Sequence, residues 1–170
     1  DGVRDYFHVG VIGYGERVQP LVGPYEGYEG PADLIPISHL AERPKRIEER
    51  LKAVPNGEGG TTERRVKFPV WFDPHAKNGT PMCQALDLAA RTVRRWIDHH
   101  PTSFPPVVLN VTDGEATDGD PLRFAQQLRS FATDDGEVLL FNVHLSDSEE
   151  PAVELPSSRE ELPRDDEYAE

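Results

Sequence analysis

One alternation constrains this chain more than any other feature. Val107-Val108-Leu109-Asn110-Val111 is a compact apolar run behind Pro105-Pro106, and Val138-Leu139-Leu140-Phe141-Asn142-Val143 is a second. Short apolar runs rich in β-formers predict buried strands. Between them Leu122, Ala125, Leu128 and Phe131 lie at helical spacing, behind an Asp120-Pro121 helix start. Asp135-Gly136 turns the chain into the second run. Strand, helix and strand in that order read as a parallel unit. A longer helix precedes them. Thr80 serves as its N-cap and Pro81 as its first helical residue. Met82, Ala85, Leu86, Ala89, Val93, Trp96 and Ile97 form its apolar face, and it stops at His99-His100 before Pro101.

Upstream, Tyr6 to Tyr14 is apolar and reads as one buried strand that ends at Gly15. Val18 to Val22 suits a short edge strand. Ile47, Leu51 and Val54 fall at i, i+4 and i+7, which predicts a short amphipathic helix within 44–54. Gly57 to Thr62 is a flexible loop. Val66 to Phe72 reads as a strand, and Pro69 within it demands an edge or a bulge. The fold class expected is therefore α/β, an open, mostly parallel sheet flanked by helices. Residues 1–146 form the domain, with 23–63 as an irregular insertion. Residues 147–170 form an acidic extension, with ten acidic residues, two basic residues and three prolines.

The whole chain of 170 residues has 31 acidic and 18 basic side chains, a formal net charge of −13. Such a charge repels polyanions, so neither nucleic acid nor an anionic membrane is an expected partner. Cations and basic surfaces fit better. Cys83 is the single cysteine, which rules out an internal disulfide and a thiolate cluster. That suits a reducing, cytoplasmic setting. No apolar run reaches the length of a membrane span.

Ligands of an open parallel sheet bind beyond the carboxyl ends of its strands. Asp113 stands at such an end, followed by Gly114, Glu115, Thr117, Asp118 and Asp120. Oxygen donors without sulfur or imidazole select Mg²⁺, Ca²⁺ or Mn²⁺. The loop is not an EF-hand, because Asp118 stands where that turn needs glycine and Phe124 where it needs glutamate. An acidic loop after a strand also serves as a solvated turn with helix caps. His99 and His100 suit a helix C-terminus. His8, His39, His75 and His144 show no metal spacing. Asn110 and Asn142 interrupt apolar strands and need hydrogen-bond partners, which places them as bridges to neighbouring loops. Cys83, Trp71 and Trp96 read as packing residues.

Asn110-Val111-Thr112-Asp113-Gly114-Glu115 resembles the strand-end Thr-Asp-Gly motif of von Willebrand factor A domains. Gly79-Thr80-Pro81-Met82 is similar to their Gly-Thr-Pro loop, and Val9 to Gly15 resembles their second strand. The motifs stand in the family's order and cover residues 5 to 146. Phe68-Pro69-Val70-Trp71-Phe72 and Thr80-Pro81-Met82-Cys83 look like bacterial members. The resemblance implies a Rossmann-like sheet and a metal-ion-dependent adhesion site. Thr80 and Asp113 would be ligands, with Glu115 and Asp118 on the rim or just behind it. The family's Asp-x-Ser-x-Ser motif does not occur in the chain. The resemblance therefore implies a domain truncated at both ends, with the first strand and helix before Asp1 and the last after Glu170.

The function expected is a protein–protein interaction module, not an enzyme. It would hold an Asp or Glu of a partner protein through Mg²⁺ (or Mn²⁺ or Ca²⁺) at the carboxyl edge of the sheet. The site would be incomplete in this fragment and bind metal weakly or not at all. Two alternatives stay open: a Mg²⁺-dependent hydrolase of phosphate esters, and a metal-free scaffold. No Gly-x-Ser-x-Gly and no phosphate loop with lysine occurs to support catalysis.

Overall fold

The computed structural model of the chain describes residues 2–23, 34–57, 59–74, 77–147, 149 and 152–162. His75, residues 24–33 of the expected insertion and residues 163–170 of the acidic extension lie outside them. The chain divides into two compact units, Asp1–Gly13 with Gln19–His75, and Tyr14–Val18 with Ala76–Glu170.

In the first unit the expected strand over residues 6–14 is broken in two. Strand β1 (His8–Val9) and strand β2 (Ile12–Tyr14) flank Gly10-Val11. The break follows from divided loyalties. β2 pairs with β3 (Val18–Pro20), and β1 pairs antiparallel with β4 (Ile35–Pro36). Helix α1 (Ile37–Glu42) follows β4 directly. It has no cap from its own side chains; instead Asp5 accepts the Ser38 N–H at 2.9 Å. Val22, Ile35 and Leu40 are buried together, with Trp71 and Phe72 packed on them. The Trp71 indole donates to the Leu40 carbonyl at 2.6 Å, so this ring is an anchor at both its apolar and polar ends.

The helix expected within 44–54 does not form. Strand β5 (Arg46–Pro55) pairs with β6 (Thr61–Val70) in an antiparallel hairpin, from Arg46 opposite Val70 to Pro55 opposite Thr61. Ile47 and Leu51 would have faced inward from a helix, but they are 60% and 62% exposed. Three apolar positions are too few to decide between the two periods, and the long ladder to 61–70 wins. The stretch read as irregular thus contains α1, β4 and most of this hairpin. At its tip Asn56 accepts the Gly60 N–H through its side chain at 2.9 Å and donates its own N–H to the Gly60 carbonyl at 3.0 Å. Pro69 is accommodated as expected, since a two-stranded ribbon has only edges.

The second unit follows the sequence more closely. Helix α2 (Met82–His99), strand β7 (Val107–Thr112), helix α3 (Leu122–Arg129) and strand β10 (Leu139–His144) appear where the patterns put them. A small hairpin of β8 (Ala132–Thr133) and β9 (Gly136–Glu137) precedes β10. β7 and β10 are parallel, with Leu139 opposite Val107 and His144 opposite Thr112. Met82, Leu86, Ala90, Val93 and Ile97 of α2 bury themselves with Leu128 and Val138. Trp96 packs against this cluster and its ring lies 4.6 Å from that of His100. His99 Nδ1 lies 2.8 Å from the Arg95 carbonyl, in keeping with a C-terminal role. Leu122, expected to face inward, is 57% exposed, and Phe124 packs in its place.

Two expectations fail together. β7 and β10 were read as buried strands, yet Val107, Leu109 and Val111 of one, and Leu139, Phe141 and Val143 of the other, are exposed on one face. Only the opposite face is packed. Nor do the described residues form an open, mostly parallel sheet flanked by helices. The described strands form five separate pairs, of which β7–β10 is the one parallel pair among the described residues. The strand–helix–strand alternation was real but built a single unit. The other apolar runs paired locally and did not extend it. Among the described residues no helix is long and apolar enough to cross a membrane.

Leu128 is fully buried at the centre of the second unit. Leu128→Ala should lower unfolding free energy by about 2–5 kcal/mol, read by denaturant titration. A loss under about 1 kcal/mol would mean that the unit does not depend on this core.

Candidate metal centre

The carboxyl end of β7 meets the amino end of α2, and hydrogen bonds between two loops bring them together. Thr117 accepts the Thr80 N–H through its hydroxyl at 2.9 Å, and the Thr117 N–H donates to the Thr80 carbonyl at 2.9 Å. Gly79 sits at φ 88°, and a Cβ there would come within 3.2 Å of the Thr117 hydroxyl. The positive φ favours glycine at this position, and the close Thr117 hydroxyl adds to that. As a result the Thr80 hydroxyl lies 3.8 Å from where a side chain on Gly114 would begin, next door to Asp113.

Asp118 does what Thr80 was expected to do. Helix α2 starts at Met82, with Pro81 as its cap residue and no capping side chain there. The Asp118 carboxylate instead accepts the N–H groups of Cys83 and Gln84, each at 3.0 Å. Those amides are orphan donors of the first turn, and a carboxylate there also meets the positive end of the helix dipole. Thr80 is not the cap residue because the helix starts one position later than expected, with Pro81 in that place. Burial acts to raise the Asp118 pKa, but the Cys83 and Gln84 N–H groups outweigh it and hold the carboxyl below the ordinary aspartate value. The thiol of Cys83, beside it, is pushed up, first by burial and then by Asp118. That opposes the activation that a helix N-terminus would give a cysteine. Asp120 caps α3 more simply, accepting the Leu122 N–H at 2.8 Å.

Thr112, buried at the end of β7, shapes the turn that presents Asp113. Its hydroxyl donates to the Gly114 carbonyl at 3.0 Å and accepts the Gly114 N–H at 3.3 Å. Asp113 and Glu115 are exposed, and no hydrogen bond or ion pair to a described residue engages either carboxylate. The chain thus places Thr80 beside the Asp113 turn and leaves Asp113 and Glu115 open, while Asp118 is spent on the helix. Among the described residues no group of three or more His, Cys, Asp or Glu is placed to hold a metal ion.

Tyr14 was not foreseen. Its hydroxyl lies 2.7 Å from Asn110 Oδ1 and 2.9 Å from the Val111 carbonyl, and donates towards both. Burial pushes the phenol pKa up, a hydrogen bond with Thr112 works against that, and the negative charge of Asp113 adds to it. Asn110, itself buried, donates to Asn142 Oδ1 at 2.7 Å. The two amides bridge β7 to β10, not neighbouring loops as expected. Nothing in the sequence joins Tyr14 to a strand some 96 residues away. Its position at the end of an apolar run was the only signal.

No family model matches the chain, no curated protein matches it, and no solved structure matches it.

Asp118→Ala should cost about 0.5–1 kcal/mol at neutral pH, as loss of a helix cap does. The sign with pH follows from its depressed pKa. The contribution is present above the unfolded value of about 4 and is lost as pH falls through the folded value. Thermal melts of wild type and variant should therefore converge in acid. A gap that stays constant from pH 7 down to about pH 2 would show that the ionised carboxylate is not the cap.

Proposed function

We propose that this chain is a protein-interaction module whose contact point is the rim formed by residues 79–81 and 113–115. Thr80 and Asp113 supply two oxygens to a Mg²⁺ ion, and an Asp or Glu of a partner protein supplies another. One observation supports this most: hydrogen bonds between Thr80 and Thr117 hold a hydroxyl against the turn that carries an unengaged, exposed Asp113. The donor set suits a largely hydrated Mg²⁺, which commonly keeps several waters and takes one or two protein carboxylates. It does not suit a dehydrated ion. Binding by this chain alone is accordingly weak. An ion held by so few protein charges keeps its pull on an incoming carboxylate.

A phosphate-ester hydrolase would need several carboxylates converging on the ion. Asp118 is committed to the α2 amides. That favours the binding module. A single cysteine is in keeping with work in a reducing compartment such as the cytoplasm.

Paramagnetic Mn²⁺ titrated into isotope-labelled protein tests the site. Broadening should begin at Thr80, Asp113 and Gly114, and excess Mg²⁺ should reverse it. Asp113→Ala should remove that local broadening while distant acidic surfaces still respond. Unchanged broadening at Thr80 in Asp113→Ala would end the assignment.

A further inference from the structure

The second unit contains a cleft of about 1130 Å³ over the packed face of β7 and β10. It is somewhat larger than most ligand clefts, which are roughly 300–1,000 Å³. Met82 and Leu86 of α2, Ala125 of α3 and Leu140 of β10 give it apolar walls. Asn110 and Asn142 lie in its floor, and Pro156 and Leu162 from the far end of the chain line it as well. Asn110 is already paired, since it receives Tyr14 at its oxygen and donates to Asn142. An apolar body can therefore cover Asn110 without stranding those groups.

The charges are one-sided. Glu115 and Asp120 line the cleft, and among the described side chains lining it there is no lysine, arginine or histidine. Asp120 uses one oxygen on the Leu122 N–H, and Glu115 is exposed without a described partner. A carboxylate or phosphate entering here would meet the like charge of Glu115 and Asp120, on a chain of net charge −13. A cation would meet the reverse.

We propose that this cleft binds a small organic ammonium, with its apolar body between α2 and α3 and its cationic head at Glu115 and Asp120. The inference does not depend on the metal reading. It needs no ion, and it concerns ligands of the opposite charge.

The test uses the full chain in EDTA, with hexylammonium, hexanol and hexanoate as probes of one body and three heads. Hexylammonium should shift the side-chain amide signals of Asn110 and Asn142 saturably. Hexanol should bind more weakly, and hexanoate should give no saturable shift. Glu115→Gln should weaken hexylammonium by about two- to fivefold, the size of one exposed charge pair, and leave hexanol unchanged. The proposal is overturned if hexylammonium gives no saturable shift, or if hexanol or hexanoate binds as tightly. It is equally overturned if Glu115→Gln leaves the preference for ammonium intact.

Discussion

The second unit turns on a carboxylate that reaches across to another element. Asp118 belongs to the loop after β7, but its oxygens satisfy the first turn of α2. Helix starts carry unsatisfied amides wherever they are, and most find a side chain within a residue or two. Here the partner lies more than thirty positions away, so the helix start and the loop cannot be ordered independently. The Thr80–Thr117 exchange closes the same seam a few residues earlier. Every feature of the proposed contact point is a by-product of that seam. It sets Thr80 beside the Asp113 turn, and it takes Asp118 out of consideration as a ligand.

The first unit repeats the device on a smaller scale. Asp5 receives the Ser38 N–H, and hydrogen bonds first from the Ser38 side chain and then from this N–H hold its carboxyl below the ordinary range. Both helices thus begin on capping groups borrowed from elsewhere in the chain. Local pattern cannot reveal such a cap. Thr80-Pro81 has the residues of a helix start. The helix starts one residue later, and the tertiary fold offers its first amides a charged acceptor.

That contrast explains what could be read in advance. The α2 and α3 segments are legible because their apolar residues recur at helical spacing, and β7 and β10 because their apolar runs are short and rich in β-formers. Asp113 was legible because strand ends are where sites gather. The hairpin over 46–70 was not, since Ile47, Leu51 and Val54 satisfied a helical spacing while their true partners lay across a turn. The open parallel sheet was inferred from a motif order and from one genuine alternation, but pairing is a property of distant segments. Tyr14 is the clearest case. It binds Asn110 and Val111 through contacts that no window of neighbouring residues contains.

The hairpin of β5 and β6 has one further implication. Strand alignment is usually enforced by a buried side, because a slip by one residue drives apolar groups into water. This ribbon is wet on nearly all of both sides. Part of what favours this alignment is lateral: Glu49 faces Lys67 and Arg50 lies over the Phe68 ring at 3.8 Å, while Lys52 opposite Arg64 works against it. Attractions and repulsions between exposed charges fade as dissolved ions crowd around them. The alignment of these strands is therefore partly a property of the surrounding solution, in which dissolved salt weakens the Glu49–Lys67 attraction and the Lys52–Arg64 repulsion alike.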